Sequence, residues 1–320
     1  MERQIEKIGM GWLPDYPDFR DYTPEHNEVS DRLKALGETD SVKAMLHKVF
    51  KPTAKKTRAT KTTKTGAATA AKLAPSVSTD LRTYFSPIED QQYIGSCTAH
   101  AGIGLVEYFE RRAFGKHIDA SRMFLYKATR NMLHWPGDTG AFLRTTMGAM
   151  ALFGVPPEEY MPYVPADFDK EPSAFCYAFA QNYQAISYYR LDTPGIARDV
   201  LLKRIKRYLD FNLPSMFGFT VYSSISQARN NNGEIPFPIR GERVIGGHAV
   251  DAVGYDDKKV INKAHPRGGK TTGALLIRNS WGSSWGDNGY GWLPYEYVLQ
   301  GLAIDWWSLL KNEWIDTGNF

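Results

Sequence analysis

The sequence has 320 residues, of which 42% are apolar and 23% are charged, so it is long and apolar enough to fold around a large core rather than stay disordered. Its net charge is +4, but residues 51–72 carry seven basic and no acidic side chains, and removing those seven leaves 32 basic against 35 acidic residues. The positive charge therefore belongs to one segment and not to a binding face. We expect no nucleic-acid partner, beyond a weak contact of that segment with anionic surfaces.

The first 74 residues divide into two parts. Residues 1–50 form an N-terminal segment that opens with Pro, Asp and aromatic residues and continues with one or two predicted short helices. Its expected apolar anchors are Trp12, Leu13, Phe19 and Tyr22. Residues 51–74 are mostly Lys, Thr and Ala, which predicts a basic low-complexity linker with almost nothing to bury.

Residues 75–320 are predicted to form the globular domain. Helical spacing of apolar residues dominates residues 97–185, and the first helix is expected to begin at Cys97 and to end at Gly115. After a further helix near residues 199–211, short segments rich in β-branched and aromatic residues predict strands up to residue 320. Helices first and strands later indicate an α+β chain with two segregated lobes.

Two features near Cys97 point to a reactive thiol. Gly95 and Ser96 precede the predicted helix, which places the thiol at the helix N-terminus, where free N–H groups and the helix dipole lower a thiol pKa. Gln91 lies six residues upstream in a turn-like segment, from which its amide could donate to an oxyanion beside the Cys97 N–H.

A proton acceptor and a residue that orients it follow later in the chain. His248 comes after Gly246 and Gly247 and enters a predicted strand, while Asn279 stands at the end of another apolar strand. An Asn amide oxygen can accept from an imidazole and fix its orientation and tautomer. Trp281, two residues further on, could cover the pair and exclude water.

Three segments carry a resemblance to the papain family of cysteine peptidases, in its prokaryotic-type branch: EDQQYIGSCTAHA, GGHAVDAVGYD and IRNSWGSSWGDNGYG. They stand in the family's order, with the histidine and asparagine 151 and 182 residues after Cys97. The resemblance covers residues 75–320. It implies Cys97 as nucleophile, His248 as base, Asn279 as its orienting residue and Gln91 as oxyanion donor, with Trp281 as the shield.

The same resemblance implies a fold and a substrate. The fold is a helical lobe, residues 97–185, and a small antiparallel β-barrel lobe, residues 186–320, with the active site in the cleft between them. The substrate is an extended peptide or protein, with Gly140, Gly247, Ala249 and Trp281 as expected substrate contacts and with room for an apolar side chain near Ala249 and Phe142. No cofactor or metal is implied.

The N-terminal segment has two interpretations in such a fold. It is either a removable pro-segment that occupies the cleft or a permanent strap on the back of a lobe. Our hypothesis is that it stays docked and limits access. Since the sequence shows no signal-peptide core and no apolar stretch of about 18 residues, we expect no membrane association and a cytoplasmic location by default, with other export routes open.

Other interpretations compete with these assignments. The same residues could serve an amide acyltransferase, or the chain could be a catalytically silent peptide-binding module. His100 is a rival base because it lies one helical turn from Cys97, although we expect it to be buried and bonded to backbone. Cys176 lies among apolar residues and is expected to be a core thiol, so no disulfide is expected.

Overall fold

The computed structural model describes residues 9–27, 29, 76–262 and 269–314. The helices of this part are α1 Cys97–Phe114, α2 Arg122–Leu133, α3 Leu143–Leu152, α4 Ala174–Ala180, α5 Arg198–Asp210 and α6 Glu296–Leu299. Its strands are β1 Trp12–Leu13, β2 Ser78–Asp80, β3 Ala141–Phe142, β4 Tyr183–Arg190, β5 Ser215–Tyr222, β6 Val244–Asn262, β7 Lys270–Arg278, β8 Tyr290–Pro294 and β9 Ala303–Trp314. The predicted short helices before residue 50 and the linker 51–74 lie outside the described residues.

Helix α1 is the central element of the helical lobe. Leu105 and Tyr108, three positions apart on one face, are fully buried, as the apolar spacing predicts. The chain leaves the helix at Gly115, whose φ of 76° is left-handed and whose N–H bonds to the Arg111 carbonyl. The predicted start at Cys97 and stop at Gly115 are therefore confirmed.

The second lobe is a seven-stranded antiparallel sheet. Its strand order is β4-β9-β5-β6-β7-β8, with β2 paired to β6. Helix α5 is the helix predicted near residues 199–211. Helices and strands thus segregate as the sequence predicts, which confirms an α+β fold. Helix α1 packs on β6, so the N-terminal end of α1 and the middle of β6 come together between the two lobes.

The described part of the N-terminal segment, residues 9–27, is called the strap. Strand β1 of the strap pairs in parallel with β3 of the helical lobe, while the Trp12 ring lies directly over Gly218 of the sheet. Trp12 is buried, but Phe19 is 89% exposed and Tyr22 is 48% exposed, so the prediction that both are apolar anchors is wrong. The strap therefore bridges the two lobes mainly through β1.

Charge holds the strap where its aromatic side chains do not. Arg144 of α3 pairs with Asp15 and donates through Nε to Asp21 Oδ1 at 2.8 Å. Arg190 donates to the Asp15 carbonyl at 2.7 Å and lies 3.7 Å from the Asp21 carboxylate. The part of the strap around Phe19 is thus held by ion pairs and backbone bonds, while the Phe19 ring itself stays exposed.

A buried carboxylate joins this cluster to strand β9. Asp192 accepts from the Arg190 guanidinium at 3.0 Å and from the backbone N–H groups of Asp305 and Trp306 at 2.8 and 2.9 Å. It is 4% exposed. Asp192 therefore neutralises a buried guanidinium and fixes the backbone at the start of β9 at the same time.

We expect Asp192→Ala to lower the free energy of unfolding by about 3–5 kcal/mol, because the buried Arg190 guanidinium loses the carboxylate that pairs with it. Urea unfolding followed by tryptophan fluorescence measures this loss. The control is Asp199→Ala, which removes an exposed ion pair with Lys203 and should leave the urea midpoint unchanged. Equal midpoints for Asp192→Ala and Asp199→Ala would contradict the expected role of the buried carboxylate.

Within the described residues, no helix is long and apolar enough to cross a membrane.

Candidate active site

The thiol of Cys97 lies at the first residue of α1. No side chain caps this helix, and the thiol lies within reach of the backbone N–H groups of its own residue and of Thr98. The N–H of Ala249, directly after His248 in β6, also reaches the thiol. The packing of α1 on β6 therefore places the thiol beside His248.

His248 is oriented by Asn279. Its Nε2 lies 2.7 Å from Asn279 Oδ1, which also accepts the Ser280 N–H at 2.8 Å and is thereby fixed as an acceptor. Nε2 must then carry the proton, and Nδ1, which has no hydrogen-bond partner among the described residues, is left as the basic nitrogen. Trp281 stacks on the imidazole with ring centroids 4.4 Å apart, so it covers the His248–Asn279 bond.

Gln91 is buried and held on both sides of its amide. Ser280 donates its hydroxyl to Gln91 Oε1 at 2.6 Å, which turns Nε2 away from Ser280, and Nε2 donates to the carbonyls of Gly9 and Ile94 at 3.0 Å each. The Gln91 backbone is fixed by the Ser280 carbonyl, which accepts its N–H at 2.8 Å. The amide is therefore presented as a donor toward the carbonyl of residue 9.

Residue 9 belongs to the strap, and the strap lies across this site. The Gly9 carbonyl also accepts from Trp281 Nε1 at 3.3 Å, and the Gly11 carbonyl accepts from the Ala141 N–H at 2.8 Å. The Gly11 N–H faces the Cys97 thiol. Side chains would not fit here, because a Cβ on Gly9 or Gly11 would come within 2.3 Å of the Ile94 carbonyl oxygen or 1.8 Å of the Gly95 carbonyl oxygen.

Glycines of the two lobes face the strap in turn. A Cβ on Gly140, whose φ is 74°, would lie 2.1 Å from the Gly11 carbonyl oxygen, and one on Gly247 would lie 2.6 Å from the Trp12 carbonyl oxygen. Ala249 is buried and pairs in register with Gly218, on which the Trp12 ring lies. The structure thus brings the four expected substrate contacts, Gly140, Gly247, Ala249 and Trp281, to the surface that the strap occupies.

Burial sets the protonation state of this covered site. Burial raises the pKa of the Cys97 thiol to about 11, although the surrounding backbone N–H groups, that of Gly11 among them, oppose the rise. Burial likewise lowers the pKa of His248 to about 4, against the opposing bond to Asn279. Burial therefore opposes the charged form of both groups. The backbone N–H groups at the helix start lower the thiol pKa, as expected. Burial raises it by more, so the thiol pKa in the covered site is higher than that of a free cysteine.

His100 is not presented as a second base. Its Nδ1 lies 3.1 Å from the Ser96 carbonyl, and burial lowers its pKa to about 3. Its ring meets Tyr163 edge to face, and the Tyr163 hydroxyl donates to the Gln91 carbonyl at 2.9 Å. The expectation of a buried histidine bonded to backbone is confirmed. Cys176 is buried as predicted, and both cysteines are free.

Sequence reasoning missed three residues of this site. Ser280, which orients Gln91, stands between Asn279 and Trp281, so its position in that motif was the available signal. Trp12 was predicted as an anchor but not as the occupant of the cleft. Asp305, which accepts the Trp12 indole N–H at 3.1 Å, gave no signal at all within a predicted strand.

Comparison with known proteins follows this geometry. Residues 75–300 match the model of the papain family of cysteine proteases. An uncharacterized peptidase C1-like protein of Acanthamoeba polyphaga mimivirus is 34% identical over 69% of this chain and 68% of its own length. The oryzain gamma chain of Oryza sativa is 26% identical over 68% of this chain, but only 54% of its own length is covered. The chain thus spans about half the length of that plant relative.

One solved structure is similar to this chain over nearly its whole length. Xylellain, a cysteine protease from Xylella fastidiosa, is 28% identical with a TM-score of 0.66, and the match covers 97% of this chain and 98% of that one. The similarity therefore extends beyond the region matched by the family model, into the N-terminal residues.

Proposed function

Because this chain belongs to the papain family of cysteine proteases, we propose that it hydrolyses peptide bonds with Cys97 as nucleophile and that its strap holds it in a latent state. The observation that carries the first half is the bond of His248 Nε2 to Asn279, which leaves Nδ1, without a partner among the described residues, as the basic nitrogen.

The reaction follows from these positions. His248 Nδ1 takes the Cys97 proton as sulfur attacks the substrate carbonyl carbon, and the resulting oxyanion is stabilised by Gln91 Nε2 and the Cys97 N–H. The imidazolium, with Nε2–H held by Asn279, gives its proton to the leaving amine as the C–N bond breaks. Water then attacks the thioester while His248 accepts its proton, which releases the acid product and restores the thiol.

The latent state rests on what the strap presents to the thiol. The N–H of Gly11 lies near enough to the thiol to lower its pKa, and Gln91 Nε2 already donates to the Gly9 carbonyl. A substrate therefore competes with the strap for the same donors and the same cleft. This proposal favours the docked form of the N-terminal segment over a location on the back of a lobe.

The direct test is labelling of the full chain with a peptidyl epoxide that alkylates thiolates, followed by peptide mass mapping. Cys97 should be labelled and Cys176, buried in the same protein but without a neighbouring base, should not. Addition of acyl-accepting amines would reveal an acyltransferase as an aminolysis product. Binding of peptides without any labelling of Cys97 would favour the silent binding module instead.

Gln91→Ala should lower kcat by roughly 10²-fold with little change in KM, since it removes one oxyanion donor. Gln91 also holds the strap, so the comparison is made in a Trp12→Ala background, in which the strap is already loosened. The control is Gln300→Ala, an exposed glutamine just after α6. An unchanged kcat for Gln91→Ala would remove Gln91 from the proposed machinery.

A further inference from the structure

The Trp12 side chain fills a pocket on the sheet side of the cleft, here called the indole pocket and lined by Gly218, Gly247 and Asp305. A Cβ on Gly218 would lie 1.8 Å from the indole ring, and one on Gly247 would lie 2.8 Å from it. The two glycines thus leave a broad, flat space between strands β5 and β6 that only a planar group uses fully. Trp12 is 5% exposed within it.

A carboxylate lies at the end of this pocket. Asp305 is fully buried, and its Oδ2 accepts the Trp12 indole N–H at 3.1 Å. Its Oδ1 is already engaged by Trp307 Nε1 at 2.7 Å and by Arg190 at 3.3 Å. Asp305 Oδ2 is therefore bonded by the strap, while Oδ1 is bonded by residues outside the strap.

The backbone is shaped to place this side chain. Asp305 has a left-handed φ of 65°, and the pairing of β9 with β5 shifts register between Met216 and Gly218, where Asp305 and Trp306 together stand opposite Phe217. Such a bulge redirects a side chain that an ordinary strand would place elsewhere. A non-glycine residue at this φ costs free energy, which the bonds of the Asp305 carboxylate offset.

Resting on the proposed function, we propose that the indole pocket determines specificity: once the strap leaves, it selects peptide substrates that insert a tryptophan side chain and donate the indole N–H to Asp305 Oδ2. The strap and the substrate then donate to the same acceptor, Asp305 Oδ2. When the strap leaves, Asp305 Oδ2 loses the indole N–H that it accepts. A substrate side chain that fills the pocket without a donor would leave this oxygen unpaired, at a cost in free energy.

The charges around the pocket argue against a cationic side chain. Arg144 and Arg190 both lie near the Trp307 ring, at 5.7 and 5.1 Å from its centroid. In the closed state the strap residues Asp15 and Asp21 pair with these arginines. When the strap leaves, both carboxylates leave with it, so the surroundings of Asp305 become more positive and repel a further cation. A neutral planar donor is the chemistry that fits.

The test uses the full chain with the Trp12→Ala substitution and fluorogenic tripeptides in which one tryptophan is moved through the three positions before the scissile bond. At the position where tryptophan is best, it is replaced by 3-benzothienylalanine, which has sulfur in place of the ring N–H, and by arginine. We expect kcat/KM to fall by about tenfold or more for the sulfur analogue, because a hydrogen bond to a buried carboxylate is lost. Arginine should be poorer than tryptophan.

The substrate comparison does not depend on how often the strap opens, because all peptides meet the same open fraction. Asp305→Asn, chosen because Asn tolerates a left-handed φ, should reduce the preference for tryptophan over the sulfur analogue several-fold. Turnover with equal kcat/KM for the two analogues, or with arginine preferred, overturns the specificity assignment alone. Absence of turnover for every peptide together with absence of Cys97 labelling overturns the proposed function, and the assignment with it.

Discussion

We expect Cys97→Ala to abolish peptide hydrolysis by the full chain, with kcat/KM reduced by roughly 10⁴-fold or more, and to leave the urea midpoint of unfolding unchanged. Without the Cys97 thiol no acyl-enzyme can form, so His248 has no nucleophile to activate. Only substrate binding and oxyanion stabilisation then remain. The side chain is small and buried, so its replacement by alanine changes little packing.

Cys176→Ala provides the matched control. Cys176 is also free and buried, and its thiol contacts the Ser173 hydroxyl and the Tyr160 carbonyl rather than a basic group. Its substitution should leave kcat/KM and epoxide labelling unchanged. Retained turnover in Cys97→Ala, or its loss in Cys176→Ala, would assign the chemistry to another group. Both variants are measured at equal folded concentration, determined by tryptophan fluorescence.

The bond between His248 and Asn279 and the place of Cys97 at a helix start could be predicted from the sequence, because each residue lies in a short segment with a clear local structure. Cys97 follows Gly95-Ser96 at a helix start, and Asn279 ends an apolar strand that returns beside His248. Those signals are local in sequence, and the fold class follows from helices that precede strands. The order of the three motifs along the chain, which resembles that of a known family, then indicated that Cys97, His248 and Asn279 belong to one site.

What could not be predicted depends on contacts between distant residues. The pairing of Trp12 with Ala141 has no local signal, since a two-residue strand has no periodicity of its own. Asp305 is an ordinary polar residue in an apolar strand until its bulge is known. The raised thiol pKa has the same origin: the local backbone N–H groups favour the thiolate, but burial of Cys97 in the folded chain outweighs them and raises the pKa.

Release of the strap is the second large expected effect. Trp12→Ala in the full chain should raise both the rate of Cys97 labelling and kcat/KM by about 10²- to 10⁴-fold. The substitution removes the burial of an indole ring, worth about 3–5 kcal/mol in a packed site, and its bond to Asp305, and both stabilise only the closed state. A two-state equilibrium between closed and open cleft shifts by that difference in free energy.

Two variants identify the cause of that increase. Phe19→Ala changes an aromatic residue of the same strap that is 89% exposed, so it should leave the labelling rate unchanged. Trp12→Phe keeps an aromatic ring over Gly218 but loses the donor to Asp305, and it should give an intermediate rate. If Trp12→Ala labels no faster than wild type, the strap does not limit access to Cys97. Labelling of Cys176 in the same sample stays constant if the effect is local, because an increase at both thiols would indicate unfolding rather than opening of the cleft.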